Sequence, residues 1–127
     1  MKEAALIFLG GGAGSVLRFY IGRWTNQVYP LSFPMGTLAA NILACLTLGI
    51  IIGLADQKSA MSADARLFWT VGFCGGFSTF STFSQETLNL LQAGLTFVLA
   101  LYVAASLVVG VAAVCAGIWL GHQLTGS

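Results

Sequence analysis

The sequence predicts an all-α integral membrane protein with four transmembrane helices, the third of them broken, in a single domain spanning residues 1–127. Charged residues make up only 7% of the chain and hydrophobic residues 57%, whereas a soluble domain carries about 25% charged residues. Four apolar runs each approach the length of about 20 residues that crosses a bilayer. The third run contains glycine, serine, threonine and phenylalanine where a simple span is rich in leucine and isoleucine.

The low charge also limits the function. A net charge of +1 at pH 7 supplies no basic stripe for phosphates, so we expect no nucleic-acid partner. The sequence shows no paired carboxylates, Ser-His-Asp set or Cys/His cluster, so we do not expect an enzyme. The cysteines are odd in number and lie in apolar stretches, which argues against a disulfide framework; they are Cys45, Cys74 and Cys115.

Charged and helix-breaking residues separate the four runs. Arg18 interrupts the first run, and a linker at 25–35 with Pro30 and Pro34 follows it, because proline lacks the donor that a helix interior needs. A polar loop precedes the third run, and a short polar hinge precedes the fourth. The predicted spans are 4–24, 36–55, 67–91 and 95–120.

The basic residues give almost no preference for one orientation in the membrane. With four spans, Lys2, Lys58 and Arg66 share one side, and Arg23 lies on the other, together with Arg18 if its side chain extends that way. Three charges against two are too small a bias to orient the chain by the positive-inside rule. Insertion in both orientations therefore makes an antiparallel pair possible.

Glycine pairs at four-residue spacing occur in each of the first three predicted spans and at the end of the fourth. In lipid, small residues at this spacing allow two helix backbones to approach closely. We therefore predict tight helix packing at Gly10 and Gly14, Gly49 and Gly53, Gly72 and Gly76, and Gly117 and Gly121.

The third span contains the least ordinary segment of the chain. Gly75-Gly76 followed by Ser78-Thr79 predicts a helix break near 75–79, because glycine tolerates a turn and Ser or Thr caps a restarted helix. At membrane depth, non-helical backbone must be buried in protein or line a wet cavity. Freed carbonyls there bind a cation, whereas freed amides and helix N-termini attract an anion.

Two phenylalanines follow the predicted break at helical spacing. Phe80 and Phe83 lie on one face of the restarted helix, where aromatic residues usually form a core. Here Ser81, Thr82 and Ser84 are interleaved with them, and an apolar core disfavours such hydroxyls. Because an aromatic ring presents a positive edge, ring edges beside hydroxyl donors suit an anion that has lost its water.

Other polar residues lie within the predicted spans. Asn41 can donate two hydrogen bonds to an anion or join two helices, and Thr37 lies about one turn before it. Arg18 is either a functional residue, the default for an intramembrane charge, or extends to the nearby interface. Tyr102 and Ser106 share one face of the fourth span, where packing is the simpler explanation.

The segment 75–84, which reads GGFSTFSTFS, strongly resembles the signature of the Fluc (CrcB-type) fluoride ion channels. The segments GSVLRF at 14–19 and GTLAAN at 36–41 also match, and the resemblance covers essentially the whole chain. It implies an antiparallel, dual-topology homodimer with two narrow pores in the lipid of the bacterial inner membrane. It further implies passive export of fluoride from the cytoplasm, which lowers intracellular fluoride and its toxicity.

The resemblance also implies roles for individual residues. It implies a central structural sodium ion held by the main-chain carbonyls of Gly75 and Ser78 in both subunits; the family commonly has Thr at the second position and often Leu in place of Phe77. The implied fluoride pore residues are Asn41, Phe80, Phe83, Tyr102 and Ser106. The implied polar track beyond the phenylalanines consists of Ser81, Thr82, Ser84 and Glu86. Arg18 and Thr37 are implied in the vestibule or in assembly.

Two other functions stay open from the sequence. A small four-span, dual-topology multidrug exporter is also short and dimeric, but it needs a titratable carboxylate in the membrane. Glu86 is the only candidate, and its position near a helix end argues against this function. In a non-conducting assembly or scaffold subunit, polar substitutions at Thr82 or Ser84 would leave no transport phenotype.

Overall fold

A computed structural model of the chain describes residues 1–28, 32–56 and 61–126; Pro30 and Lys58 lie outside the described residues. Within those ranges the chain consists of helices joined by short connections, without a β-strand. Three helices are long and apolar enough to cross a membrane. The predicted all-helical fold class is therefore confirmed.

The first helix is longer than the sequence predicts. Helix α1 spans Lys2–Val28, so residues 25–28, which we assigned to the linker, are helical. Thr, Asn and Gln each lower helix stability by no more than about 0.7 kcal/mol relative to Ala, and Thr25 is buried. Helix α2, Met35–Ala55, begins directly after Pro34, which is its N-cap residue.

The third span is divided into several helical pieces. In chain order these are α3 Ala63–Leu67, a π-helical segment Phe68–Cys74, α4 Gly75–Phe77 and α5 Phe80–Gln92. The chain is extended only at Ser78 and Thr79, so the break is narrower than the predicted range 75–79. The sequence does not predict the π-helical segment, a form that often marks functional sites.

The last helix, α6, spans Thr96–Leu124 and extends four residues beyond the predicted end. A tight turn connects it to α5. Gly94 in that turn has a φ angle of +74°, which glycine adopts at little cost. The turn reverses the chain, and α5 and α6 pack against each other.

Helices α2 and α6 approach at backbone contact distance. A Cβ atom on Gly117 would lie 2.8 Å from the Cα atom of Gly49, and one on Gly121 would lie 2.9 Å from the Cα atom of Gly53. Real side chains do not tolerate such distances, so both helices require glycine here. Close packing of this kind stabilises helix pairs in lipid, where hydrophobic burial contributes little.

Helix α1 packs equally closely against the broken third span. A Cβ atom on Gly10 would lie 3.0 Å from the Phe73 nitrogen, and one on Gly14 would overlap the Phe73 carbonyl oxygen. A Cβ atom on Gly76 would overlap the Gly11 carbonyl oxygen. The glycines of α1 thus hold the π-helical segment and α4 directly against the α1 backbone.

Few side chains are buried within the single chain. Two small clusters centre on α2, one of Leu38, Leu90 and Tyr102 and one of Ala40, Ala44 and Phe77. Large apolar side chains on α1 and α6 face outward, for example Phe8 and Val108. An apolar exterior of this extent is covered by lipid or by another subunit.

Candidate functional site

The helix break is held by a side chain from α2. The Thr79 N–H donates to Asn41 Oδ1 at 2.8 Å, and Asn41 Nδ2 donates to the Thr79 carbonyl at 3.2 Å. In a continuous helix the Thr79 N–H would bond to the Gly75 carbonyl. Asn41 therefore joins two helices, one of the two roles that the sequence left open. Its amide nitrogen keeps a second hydrogen for another acceptor.

Thr79 also caps the helix that restarts after the break. Its Oγ1 accepts a hydrogen bond from the Thr82 N–H at 3.3 Å and donates to Thr82 Oγ1 at 3.1 Å. This is the N-cap arrangement that the Gly-Gly-Phe-Ser-Thr pattern predicts. The side chain of Thr79 thus satisfies one of the backbone donors that the first turn of α5 leaves free.

The break frees the carbonyl oxygens of Gly75 and Ser78. Their helical donors, the N–H groups of Thr79 and Thr82, bond instead to Asn41 and to the Thr79 hydroxyl. Within the described ranges no other donor reaches either carbonyl. Both residues are exposed in the single chain and line one cavity of about 200 Å³. Two free carbonyl oxygens beside a cavity fit a hard cation, which prefers oxygen ligands.

Arg18 stabilises the backbone next to the break. Its Nε donates to the Gly76 carbonyl at 3.1 Å, and Ser15 Oγ lies 3.4 Å from the same oxygen. The Arg18 side chain therefore points toward the backbone of α4, not only toward the membrane interface. No sequence motif singled out Ser15, although it lies three residues before Arg18 and so on the same helix face.

A cavity of about 630 Å³ lies between α1, α2 and the start of α5. Arg18 and Arg23 give it positive charge, and Thr37, Thr79 and Thr82 supply hydroxyl groups. The structure therefore brings Arg18 and Thr37, the two residues implied in the vestibule or in assembly, into one cavity. A cavity lined by positive charge raises the local concentration of anions.

Four of the predicted pore residues line a third cavity, of about 260 Å³, next to the break. The ring centroids of Phe80 and Phe83 are 5.8 Å apart. The Phe80 side chain is 78% exposed in the single chain, so the cavity is an open groove with one wall missing. We call it the aromatic groove; the predicted residues lining it are Asn41, Phe80, Phe83 and Ser106.

Tyr102, the fifth predicted pore residue, lies behind the aromatic groove. It is fully buried, with its ring centroid 5.1 Å from that of Phe83 and 5.6 Å from that of Phe33. Among the described residues, neither the Tyr102 hydroxyl nor Ser106 Oγ has a hydrogen-bond partner. Two buried hydroxyls without partners are unusual, and Ser106, which lines the groove, can bond to a ligand there. Phe33 lies between Pro30 and Pro34 in the sequence of the linker, and no sequence signal marked it.

The residues of the predicted polar track do not all face the same way. Glu86 is half-buried and accepts a hydrogen bond from Thr37 Oγ1, so it faces α2. Thr82 faces the cavity that Arg18 lines. Ser81 and Ser84 are exposed in the single chain. An exposed polar face on a membrane helix requires another protein surface or water to cover it.

The fold and these sites define a class: a multi-pass helical membrane protein with a broken helix beside a polar and aromatic groove. A family model described as "CrcB-like protein, Camphor Resistance (CrcB)" matches residues 5–118. The chain belongs to this CrcB-like family, as the sequence motifs predict.

Similar proteins carry the name "Fluoride-specific ion channel FluC". The one from Phocaeicola vulgatus is 45% identical over 122 residues, which cover 96% of this chain and 100% of that protein. The one from Rhizobium johnstonii is 41% identical over 93% of this chain and 94% of that protein. The one from Agrobacterium fabrum is 41% identical over 98% of this chain and 99% of that protein. These relatives are named as ion channels, which is not a class of enzyme.

Proposed function

We propose that this chain forms a fluoride-selective ion channel that exports fluoride passively from the cytoplasm across the bacterial inner membrane. One observation carries the proposal: the aromatic groove joins Phe80 and Phe83 to the amide of Asn41 and the hydroxyl of Ser106. The relatives named fluoride-specific ion channels support the choice of ion. Export by this route would lower intracellular fluoride and its toxicity.

The groove supplies the groups that a dehydrated fluoride ion needs. Fluoride is small and holds its water tightly, so a pore must replace that hydration. Positive ring edges, hydroxyl hydrogens and the second amide hydrogen of Asn41 can do so. No charged side chain lines the groove among the described residues. An ion is therefore held weakly enough to leave, which conduction requires.

A second copy of the chain would complete the groove. Phe80 is 78% exposed, and Ser81 and Ser84 are exposed beside it, although an exposed polar face is costly in lipid. We propose an antiparallel, dual-topology homodimer, in which one two-fold axis relates two identical pores. The weak charge bias of the loops, which favours neither orientation, supports insertion in both.

The carbonyls of Gly75 and Ser78 fit a structural sodium ion at the centre of this dimer. Each copy offers two carbonyl oxygens without a donor among the described residues, on an exposed face. The two copies together would offer four oxygens to a hard cation. A bound sodium ion would supply positive charge between the pores and join the two subunits.

The cavity lined by Arg18 and Arg23 would act as the vestibule. Its positive charge attracts anions from solution, and Thr79 and Thr82 lie at its inner wall. Because Arg18 also bonds to the Gly76 carbonyl, the residue would both position the break and attract fluoride. The positive charge thus stays in the vestibule, outside the narrow groove.

A fluoride-efflux measurement tests the proposal. The purified protein is reconstituted into liposomes loaded with potassium fluoride, a potassium ionophore balances the charge, and a fluoride electrode follows release. We expect rapid fluoride release without a proton or sodium gradient, and little chloride release from matched potassium chloride liposomes. Folded protein that releases no fluoride would refute the proposal.

A further inference from the structure

Two cysteines lie next to the helix break, and the proposed function uses neither of them. Cys45 belongs to α2, and Cys74 is the last residue of the π-helical segment. Both side chains line the same cavity of about 200 Å³. The structure thus places two soft ligands from different helices around one small space.

We infer that Cys45 and Cys74 form a two-thiol site that binds one soft, divalent cation of the mercuric class in linear coordination. Deprotonated sulfur prefers soft cations. The cavity exceeds the volume of about 30 Å³ that a water molecule occupies, so a metal ion fits. This inference does not rest on fluoride conduction.

The charge balance favours a divalent cation. When HgCl₂ binds, two S–H bonds and two Hg–Cl bonds break, two Hg–S bonds form, both protons pass to the buffer and two chloride ions leave. Two thiolates neutralise one divalent cation, and a neutral complex avoids the cost of a buried charge. A monovalent soft cation such as Ag⁺ would leave one uncompensated negative charge. The site therefore prefers Hg²⁺ to Ag⁺.

The surroundings disfavour zinc. Zinc prefers four nitrogen, sulfur or carboxylate ligands, and the described residues contain no group of three or more His, Cys, Asp or Glu side chains that could hold a metal. The cavity's other polar groups are not zinc ligands. The Thr70 hydroxyl donates to the Arg66 carbonyl and the Ser78 hydroxyl to the Cys74 carbonyl, and the free carbonyl oxygens of Gly75 and Ser78 are hard ligands that suit sodium. Among cations that prefer sulfur, one that is satisfied by two ligands therefore suits these two thiols.

The experiment uses the Cys115→Ser variant of the full chain, because Cys115 is an exposed thiol on α6 that would bind mercury separately. One equivalent of HgCl₂ per chain is added to the folded protein. The thiols still free are then counted with a maleimide after denaturation, and proton release is measured. We expect no free thiol and two protons per chain. Variants that also carry Cys45→Ser or Cys74→Ser should release one proton.

Three outcomes would overturn the inference. One free thiol per chain after one equivalent would show that the two cysteines bind mercury separately. A chain pair linked through mercury on a denaturing gel would show that the ligands come from two copies. Protection of both thiols by a tenfold excess of Zn²⁺ would show a site of higher coordination. Peptide mass mapping of the unsubstituted chain gives an independent result: one mercury should join the peptides of Cys45 and Cys74.

Discussion

The side-chain amide of Asn41 and the backbone peptide of Thr79 bond to each other in both directions, with distances of 2.8 Å and 3.2 Å. This pairing replaces the hydrogen bond that Thr79 would make in a continuous helix. It places the break beside α2 and turns the aromatic groove toward Asn41. One residue thus stabilises the fold and lines the proposed pore.

Replacing Asn41 tests the first of these roles. Asn41→Ala leaves the Thr79 N–H without its acceptor, which costs about 1–3 kcal/mol for a buried group. We expect the proposed dimer in detergent to dissociate, or the protein to unfold, at a lower temperature, and fluoride efflux to fall. Thr47→Ala is the matched control, because that hydroxyl bonds only to the Leu43 carbonyl of its own helix. Equal thermal stability of the two variants would show that the hydrogen bonds of Asn41 to Thr79 do not stabilise the fold.

Variants of Arg18 and Arg23 distinguish stabilisation of the helix break from attraction of anions to the cavity. Arg18→Ala removes the donor to the Gly76 carbonyl, and hydrogen bonds to charged groups contribute about 1.5–3 kcal/mol. Arg23→Ala removes an exposed charge from the same cavity. We expect both variants to reduce efflux at low ionic strength, but only Arg18→Ala to lower thermal stability. Thermal unfolding in detergent that shows the same loss for both would disprove this division.

The glycines of α1 offer a test of close packing. A Cβ atom on Gly14 would overlap the Phe73 carbonyl oxygen, whereas nothing lies within 4 Å of one on Gly12. Gly14→Ala should destabilise the protein by about 1–3 kcal/mol, the usual cost of overpacking. Gly12→Ala should be neutral or stabilising by up to about 1 kcal/mol, because alanine favours helix. The test compares the size-exclusion yield and the melting temperature of both variants. A Gly14→Ala variant as stable as the unsubstituted protein would refute the close contact between α1 and the backbone at Phe73.

The position of the aromatic groove predicts which phenylalanine substitutions reduce fluoride efflux. Phe80→Ile or Phe83→Ile keeps a bulky apolar side chain but removes the positive ring edge. We expect fluoride efflux to fall at least about tenfold, which is about 1.4 kcal/mol in the barrier. The size-exclusion profile should not change. Phe97→Ile is the control, because that ring is exposed at the start of α6, outside the groove. Unchanged efflux in both groove variants would remove the aromatic lining from the proposal.

Glu86 distinguishes a channel from a proton-coupled exporter. In Glu86→Gln the amide oxygen can still accept the hydrogen bond from Thr37, so we expect fluoride efflux to fall less than about tenfold. An exporter would lose its titratable carboxylate and all transport. The measurement is fluoride efflux and drug efflux from matched liposomes. Proton-dependent drug efflux that this variant abolishes would favour the exporter.

Local patterns were sufficient for much of this structure. The Gly-Gly-Phe-Ser-Thr order predicts both the break and its cap, and Thr79 caps α5 as expected. The extent of α1 could not be predicted in the same way. Residues 25–28 have only moderate helix propensity, and the burial of Thr25, a tertiary contact, accompanies the additional turn.

Local sequence patterns could not predict the hydrogen-bond partners of the polar residues either. Arg18 could extend to the interface or turn inward, and only the position of α4 beside α1 brings the Gly76 carbonyl within 3.1 Å. Residues 84 and 86 point to opposite sides of any α-helix, but only the position of α2 beside α5 decides that Glu86, and not Ser84, meets Thr37.

The sequence by itself determined the helical class, the apolar segments, the position of the break and the family, because composition and short motifs act through local backbone preferences and hydropathy. Only the tertiary structure decided which atoms meet: Asn41 with Thr79, Arg18 with Gly76, and Cys45 with Cys74 around one cavity. These pairs join residues far apart in the chain. Their geometry follows from how closely glycine allows the helices to approach, and no local pattern encodes that distance.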